Sequence, residues 1–261
     1  MRVGGIVRNH QGLELGISVN GVLAVVDGDQ FVANHIPLEE GENIITVTAV
    51  DVDGNTESDS ITVYVEETGD YARVTADPES GTPPFETILT IEASFIAADA
   101  SLSYDGPAGA EYVEGPNVNQ FMVSMAEEGL YHFAVEVLDE QGNLYTDTVT
   151  LKVLDLLELD ALLKAKWDGM KRALIEGDIQ GALNYHYEGL RHKYEAIYNL
   201  IGAGLASKVA EMQDIELIFA TGERAKYRIS RNHHIQGQMI SITYYIYFSK
   251  DGRGLWQIER Y

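Results

Sequence analysis

An internal repeat at an offset of 88 residues is the feature that most constrains the fold of this 261-residue chain. The segment Ile45–Val65 aligns without gaps on Phe133–Val153. Each copy reads as a strand of alternating polarity, a Gly-Asn turn that tolerates positive φ, and a second alternating strand. The identical pairs include Asp51/Asp139, Gly54/Gly142, Asn55/Asn143, Asp59/Asp147, Thr62/Thr150 and Val65/Val153. The repeat therefore predicts the same β-hairpin in two successive domains, each about the length of a β-sandwich.

The secondary-structure pattern predicted by the sequence changes after residue 153. Before it, short strands alternate with turn residues, and after it comes a helical stretch followed by a strand-rich tail. We predict a multidomain chain with two tandem all-β Ig-like sandwiches at residues 1–67 and 70–153. An α+β cone at 154–261 follows, in which helices pack on a curved antiparallel sheet.

The third segment begins with a helical period. Leu159, Leu163, Trp167, Met170 and Leu174 are spaced by three or four residues and share one helix face. Gly177-Asp178 ends this helix and starts a second one, and a third helical stretch is expected from Arg191 to Met212. The alternating runs that follow predict four antiparallel strands, at Glu216–Phe219, Arg224–Arg231, Met239–Phe248 and Leu255–Tyr261.

The charge distribution excludes several classes of partner. Through Val153 there are four Lys and Arg against 27 Asp and Glu, a net charge of −23, whereas the remainder has 14 of each sign. Such an acidic surface repels nucleic acid and anionic lipid, so neither is an expected partner. No apolar run is long enough for a membrane span, and the chain has no cysteine for a disulfide or thiolate site.

Two stretches resemble known bacterial modules. Val19-Asn20-Gly21-Val22, with Ala49-Val50-Asp51 and Gly54-Asn55, resembles the Ig-like domain also found as domain B of glucodextranase. The run from Ala76 to Phe85, together with Glu128-Gly129-Leu130-Tyr131, is similar to a PKD-type sandwich, although the Trp-Asp-Phe-Gly-Asp-Gly hallmark is absent. Both resemblances imply extracytoplasmic modules at the cell surface, in the periplasm or secreted. We expect such a location, with an export signal missing from Met1–Gly5.

The third segment resembles the nuclear transport factor 2-like superfamily. The resemblance rests on Trp167 to Asp178, on Tyr245-Ile246-Tyr247-Phe248, and on Asp251-Gly252 with Leu255 to Ile258. It implies a cone of helices and bent sheet, which serves in that superfamily as an enzyme, a ligand binder or a dimerisation domain. The fold therefore leaves the activity open.

Candidate site residues are confined to this segment. An acid and base pair would have to come from His186, His192, Asp168 and Asp178, whose spacing does not demand a shared site. Six residues could instead line a ligand cavity, namely Trp167, Tyr185, His186, Tyr227, Tyr245 and Trp256. The alternative for all six is packing in the core or at a subunit interface. His233 and His234 are expected at a strand end or hairpin loop.

Metal binding has one weak candidate. The run Asp51-Val52-Asp53-Gly54-Asn55 fails as an EF-hand, because Thr56 and Thr62 stand where the loop needs Gly and Glu. A calcium site using Glu66, Glu67 or Asp70 at the first junction is the remaining option, and no other cofactor is indicated.

We therefore expect a non-enzymatic extracytoplasmic protein, in which acidic sandwiches present a C-terminal domain to a protein or glycan at the cell surface. One alternative makes the cone a small-molecule-binding or catalytic domain. Another is a structural role in which the C-terminal domain forms a homodimer through its exposed sheet.

Overall fold

The computed structural model describes residues 1–8, 14–66, 69–117, 119–235 and 238–261, without the side chains of 232–235. It divides into two compact units, Met1–Asp155 with Arg253–Leu255 and Leu156–Gly252 with Trp256–Tyr261. The first unit consists of β-sheets, and the second combines helices with an antiparallel sheet. The predicted fold class is thus confirmed. The predicted limits of the three domains stay a prediction.

The described residues between 3 and 65 form seven strands in two facing sheets. One sheet has the order β1-β5-β4 and the other β3-β2-β6-β7. Alternate side chains point between the sheets and bury a core that includes Ile17, Phe31 and Ile45. The strands are β1 Val3–Ile6, β2 Leu15–Val19, β3 Val22–Leu23, β4 Val25–Asp27, β5 Gln30–Ala33, β6 Gly41–Asp51 and β7 Thr56–Val65.

Residues 72–153 form a second sandwich with eight strands. Its sheets have the orders β12-β13-β10-β8 and β11-β14-β15-β9. Tyr131, Phe133 and Leu151 lie in a core separate from that of the first sandwich. The strands are β8 Ala72–Ala76, β9 Ser80–Gly81, β10 Phe85–Ala93, β11 Ala97–Asp105, β12 Ala110–Glu114, β13 Gln120–Met125, β14 Gly129–Asp139 and β15 Leu144–Val153.

The repeated sequence forms the same hairpin in both sandwiches. In each turn one carboxylate, Asp51 or Asp139, accepts two backbone N–H groups and the side-chain amide of Asn55 or Asn143, at 2.7–2.9 Å. The bond from Asn55 holds the pKa of Asp51 below its ordinary value. Burial raises the pKa of Asp139, but the hydrogen bonds from Asn143, Gln141 and Gly142 together outweigh it and the net shift is downward. The acids of these turns therefore fix the turn geometry.

The second unit follows the periodicity of its sequence. Leu159, Leu163, Trp167, Met170 and Leu174 are all buried on α1, and Asp178 caps α2 through the N–H of Gly181. The helices are α1 Leu156–Glu176, α2 Ile179–Leu183, α3 Arg191–Ile201 and α4 Leu205–Ala210. The sheet has the order β16-β17-β18-β19, from Glu216–Ala220, Arg224–Ile235, Gln238–Lys250 and Trp256–Arg260. Within the described residues no helix has the length and apolar character to cross a membrane.

The two sandwiches of the first unit are joined by a buried side-chain amide. Asn34, which follows β5, is 4% exposed. Its Oδ1 accepts the N–H of Thr150 at 3.0 Å, and its Nδ2 donates to the carbonyl of Thr150 and to Glu79 Oε2, both at 2.8 Å. Thr150 lies within β15, so the amide pairs with this strand as the backbone of a neighbouring strand would.

Cations of the first unit also lie at this junction. Arg2 donates to Thr150 Oγ1 at 3.3 Å and contacts His132 Nδ1 at 3.2 Å. Lys152 on β15 of the second sandwich contacts the first sandwich. Its Nζ lies 3.3 Å from Asp27 Oδ1 and donates to the carbonyl of Val26. These contacts oppose the repulsion between two strongly acidic sandwiches.

We predict that Asn34→Ala destabilises the first unit by about 2–3 kcal/mol, because both backbone groups of Thr150 lose their partners in a buried place. Urea unfolding of the full chain measures the change. Ser58→Ala, which removes only an exposed hydroxyl bonded to Thr48, is the control and should stay within about 0.5 kcal/mol. Equal effects of the two substitutions would contradict this role for Asn34.

Candidate functional site

A cluster of aromatic rings surrounds the buried His186 in the second unit, and its outermost member, Tyr261, is 36% exposed. We call the set of His186, Tyr194, Tyr198 and Tyr261 the tyrosine–histidine cluster. Tyr194 and Tyr198 are four residues apart on one face of α3. His186 is fixed by its neighbours, because the N–H of Tyr187 donates to the carbonyl of Ile258 in β19 at 3.0 Å.

The imidazole of His186 is fully buried and in direct contact with the tyrosines. Its Nε2 lies 2.7 Å from the hydroxyl of Tyr198, which is 2.5 Å from the hydroxyl of Tyr261. The ring stacks on Tyr194 with centroids 4.2 Å apart. Its Nδ1 has no hydrogen-bond partner within the part of the chain that is described. The rings of the three tyrosines thus pack around the imidazole.

Burial shifts every titration in this cluster toward the neutral form. It lowers the pKa of His186 to about 4; the backbone of Ile258 opposes this shift, and the charge of Arg191 adds to it. Burial likewise raises the pKa values of Tyr198 and Tyr261. A neutral imidazole bonded to neutral phenols is a stable core arrangement and a weak acid or base at neutral pH.

Three of the other predicted site residues lie in the core. Trp167 is 2% exposed and meets Tyr261 edge-on at 5.2 Å, so it joins the cluster. Tyr227 is fully buried and donates to Asp160 Oδ1 at 3.0 Å. Trp256 is also buried, with Lys250 Nζ 5.6 Å from its ring centre. Among the described ring contacts, neither Tyr227 nor Trp256 meets His186.

The last two predicted residues lie nearer the surface. Tyr185 is half-buried, and its ring covers Gly169 of α1 so closely that a Cβ there would come within 2.6 Å of the ring. Tyr245 is 46% exposed on the sheet. The structure therefore brings Trp167 and His186 together through Tyr261 and leaves Tyr245 apart. Tyr194 and Tyr198 could have been found from their spacing of four residues, whereas nothing in the sequence marks Tyr261.

A cavity of about 300 Å³ lies between the helices of this unit. It is lined mainly by apolar and small residues, among them Leu174, Ile179, Leu205 and Ala206. Tyr198 and Asn199 are the polar side chains among its lining residues. The cavity thus offers no carboxylate, imidazole or amine for acid and base catalysis.

The outer face of the sheet carries alternating cations and aromatic rings. We call Lys226, Tyr245, Tyr247 and Arg260 the cation–aromatic face. Lys226 Nζ lies 4.1 Å from the ring centre of Tyr245 and 5.5 Å from that of Tyr247, and Arg260 lies 4.1 Å from Tyr247. From Glu216 onward the chain has seven Lys and Arg against four Asp and Glu. Exposed rings held by cations can stack on a ligand, and the excess charge favours an anionic one.

The weak calcium site stays a prediction. Glu67 lies outside the described residues, and Asp70 Oδ1 accepts the hydroxyl of Ser94 at 2.8 Å. No group of three His, Asp or Glu side chains suited to a metal occurs within the described residues. The side chains of His233 and His234, near the end of β17, lie outside the described part as well.

Comparison with known proteins supports the assignment of the first sandwich. A family model described as glucodextranase, domain B, matches residues 3–67. The resemblance of this segment to that Ig-like domain is thereby confirmed. A comparison with curated proteins found no match.

Solved structures similar to the chain contain β-sandwich modules. Cadherin domains 1–4 of protocadherin gamma B7 are 14% identical, over 54% of this chain and 40% of that chain, with a TM-score of 0.24. Fibronectin type III-like modules of Clostridium thermocellum CbhA are 16% identical, over 59% and 84%, with a TM-score of 0.25. A tetra-tandem repeat from the extending region of a large adhesion protein is 10% identical, over 99% and 68%, with a TM-score of 0.24.

These similarities concern architecture alone. The chain spans 40% of the protocadherin chain, and all three identities are below those at which function is shared. The described residues form two β-sandwiches, the first of which matches the Ig-like family model, followed by an α+β region. The similarity to a nuclear transport factor 2-like domain is not among these findings.

We predict that His186 alone lowers the free energy of unfolding by about 3 kcal/mol as the pH falls from 6.5 to about 4. In this pH window His186 is protonated in the unfolded chain, whereas the buried imidazole of the folded protein stays neutral. Urea unfolding at stepped pH should show a loss about 3 kcal/mol smaller in His186→Gln than in the parent chain, because His132, whose pKa burial also lowers, contributes in both. His192→Gln, which replaces an exposed histidine, should retain the full loss of the parent chain, and an identical slope in His186→Gln would contradict the assignment.

Proposed function

We propose that this protein is a non-enzymatic, extracytoplasmic interaction module. Its coupled acidic sandwiches act as a spacer, and its C-terminal domain binds an anionic glycan or an acidic protein segment at the cell surface. The observation that carries the proposal is the cation–aromatic face of the sheet. A PKD-type origin for the second sandwich and a nuclear transport factor 2-like origin for the C-terminal domain form part of the proposal.

The geometry of the cation–aromatic face suits a polymeric ligand. Tyr247 lies between Lys226 and Arg260, so its ring is held in one orientation before any ligand arrives. Tyr245 remains about half exposed beside it. Aromatic rings on one face of a sheet can stack on sugar rings or on extended side chains, while the neighbouring cations attract carboxylates. A ligand therefore gains both apolar contact and charge pairing.

The spacer role is supported by the junction within the first unit. The Asn34 amide and the cross-junction contacts of Arg2 and Lys152 couple the two sandwiches. Their acidity, with 27 Asp and Glu against four Lys and Arg, keeps an extended module soluble and prevents non-specific adhesion to other acidic surfaces. Binding would then be confined to the less acidic C-terminal domain.

The alternative of a catalytic or small-molecule-binding cone lacks such support. His186, Trp167 and Tyr227 are buried against other side chains. No carboxylate, imidazole or amine is among the residues that line the helical cavity. Dimerisation through the exposed sheet makes a different prediction, because it would bury the cation–aromatic face in a second copy.

We predict that Lys226→Glu weakens binding of an oligouronate to the full chain about tenfold or more, because it reverses a charge between Tyr245 and Tyr247. Calorimetric titration measures the affinity, with a neutral oligosaccharide of equal length and a Glu-rich peptide as further probes. Lys208→Glu introduces the same charge change on α4 and should leave binding within twofold.

Two results would overturn the proposal. One is equal binding by the two variants, and the other is the absence of saturable binding to either anionic probe. Light scattering of the parent chain adds an independent check. A stable dimer that Lys226→Glu converts to monomer would assign the face to self-association in place of ligand binding.

A further inference from the structure

The outer surface of one sheet in the second sandwich carries a row of apolar side chains. Ile88 in β10 lies directly opposite Met122 in β13, and Met122 lies directly opposite Val113 in β12. Because successive residues of a strand point to opposite sides, the buried Leu89 and Val123 place these three side chains on the side away from the core. They are 48%, 50% and 56% exposed, respectively. We call Ile88, Met122 and Val113 the apolar row.

The facing sheet of the same sandwich carries polar side chains in the middle of its outer surface. There Ser101 of β11, Glu136 of β14 and Thr146 of β15 lie side by side. Polar side chains are the usual occupants of the solvent-facing side of an antiparallel sheet. Three exposed apolar side chains in neighbouring strands are unusual there, and an apolar patch with a polar border is typical of an interaction surface.

Acidic residues border the apolar row on one side. Glu86 and Glu111 both lie opposite Ser124, two residues along the three strands from the apolar row. Both carboxylates are exposed, and neither takes part in the ion pairs of the described residues. From Asp70 to Val153 the sequence has 15 Asp and Glu against two Lys and Arg. This border therefore attracts cations and repels anions.

We propose that the apolar row and its acidic border bind a basic amphipathic helix of another protein. Neighbouring strands are about 4.8 Å apart, so the row across three strands is about 10 Å long. Apolar residues at positions i, i+4 and i+7 of a helix span about the same length. Lys or Arg on one flank of that helix would then lie beside Glu86 and Glu111. The flexible thioether of Met122, at the centre of the row, adapts well to such a partner.

The charge of this surface favours a foreign partner over a second copy of the chain. A symmetric dimer through the apolar row would bring the acidic borders of two copies together, at a cost in repulsion. The partner also differs from the ligand proposed for the C-terminal domain. The acidity of the second sandwich repels an anionic ligand, so binding of that ligand stays with the C-terminal domain. The two surfaces would therefore serve partners of opposite charge.

A labelled synthetic helix of about 18 residues, with Leu along one face and Lys along one flank of it, provides the probe. Fluorescence anisotropy with the full chain should show saturable binding at about 0.15 M salt. Met122→Asn should weaken this binding about tenfold or more, because it removes the central apolar contact. The double variant Glu86→Gln with Glu111→Gln should weaken it about five- to tenfold and reduce its salt dependence.

Matched controls separate docking from general attraction to an acidic protein. Leu144→Asn replaces an apolar residue that is 56% exposed on β15 of the facing sheet, and should change the affinity less than about twofold. Glu136→Gln with Glu140→Gln removes two exposed charges elsewhere on the same sandwich and should have an equally small effect. A peptide of the same composition, with its Leu residues distributed around the helix, should bind about tenfold more weakly or less. All substituted side chains are exposed, so urea unfolding should show parent-like stability.

Four results would overturn the proposal. Equal losses in Met122→Asn and Leu144→Asn, or equal binding of the two peptides, would show that charge alone attracts the probe. Absence of saturable binding to the amphipathic peptide would exclude such a partner. A dimer of the parent chain in light scattering, which Met122→Asn converts to monomer, would assign the apolar row to self-association.

Discussion

The amide of Asn34 takes the place of a neighbouring strand at Thr150, and the organisation of the first unit depends on this contact. An unpaired N–H and carbonyl in a buried strand would each cost free energy, and one side chain satisfies both. The contacts of Arg2 and Lys152 surround it and offset part of the repulsion between two acidic modules. The sandwiches are thus coupled by directional bonds from Asn34, Arg2 and Lys152.

The repeated hairpin shows how one sequence pattern gives different surfaces. Both copies have the same register and the same Asp-centred turn, since these features depend on residues within the hairpin. In the second copy the outer strand also pairs with β9, which lies outside the repeat. Val149 of that strand is fully buried, whereas Ile61 at the same position of the first copy is 58% exposed.

The C-terminal domain shows the limits of reading a site from residue types. The helical period identified the buried face of α1, because burial of one stripe is a local property of an amphipathic helix. The six aromatic and histidine candidates shared only a composition suited to a ligand cavity. Folding placed Trp167 and His186 against Tyr261, bonded Tyr227 to Asp160, and left Tyr245 on the outer face. Tyr247 and Arg260 form part of the cation–aromatic face only because the pairing of β18 with β19 places them opposite each other.

The sequence alone determined the elements whose cause is local. These are the two hairpins, the first helix, the Asp178 cap of the second helix, the order of all-β and α+β regions, and the uneven distribution of charge. Only the tertiary structure decided which residues meet across long separations, such as Asn34 with Thr150 and His186 with Tyr198. The reason is physical. Periodicity specifies which face of an element is apolar, whereas the partner of that face is selected by packing among elements far apart in the chain.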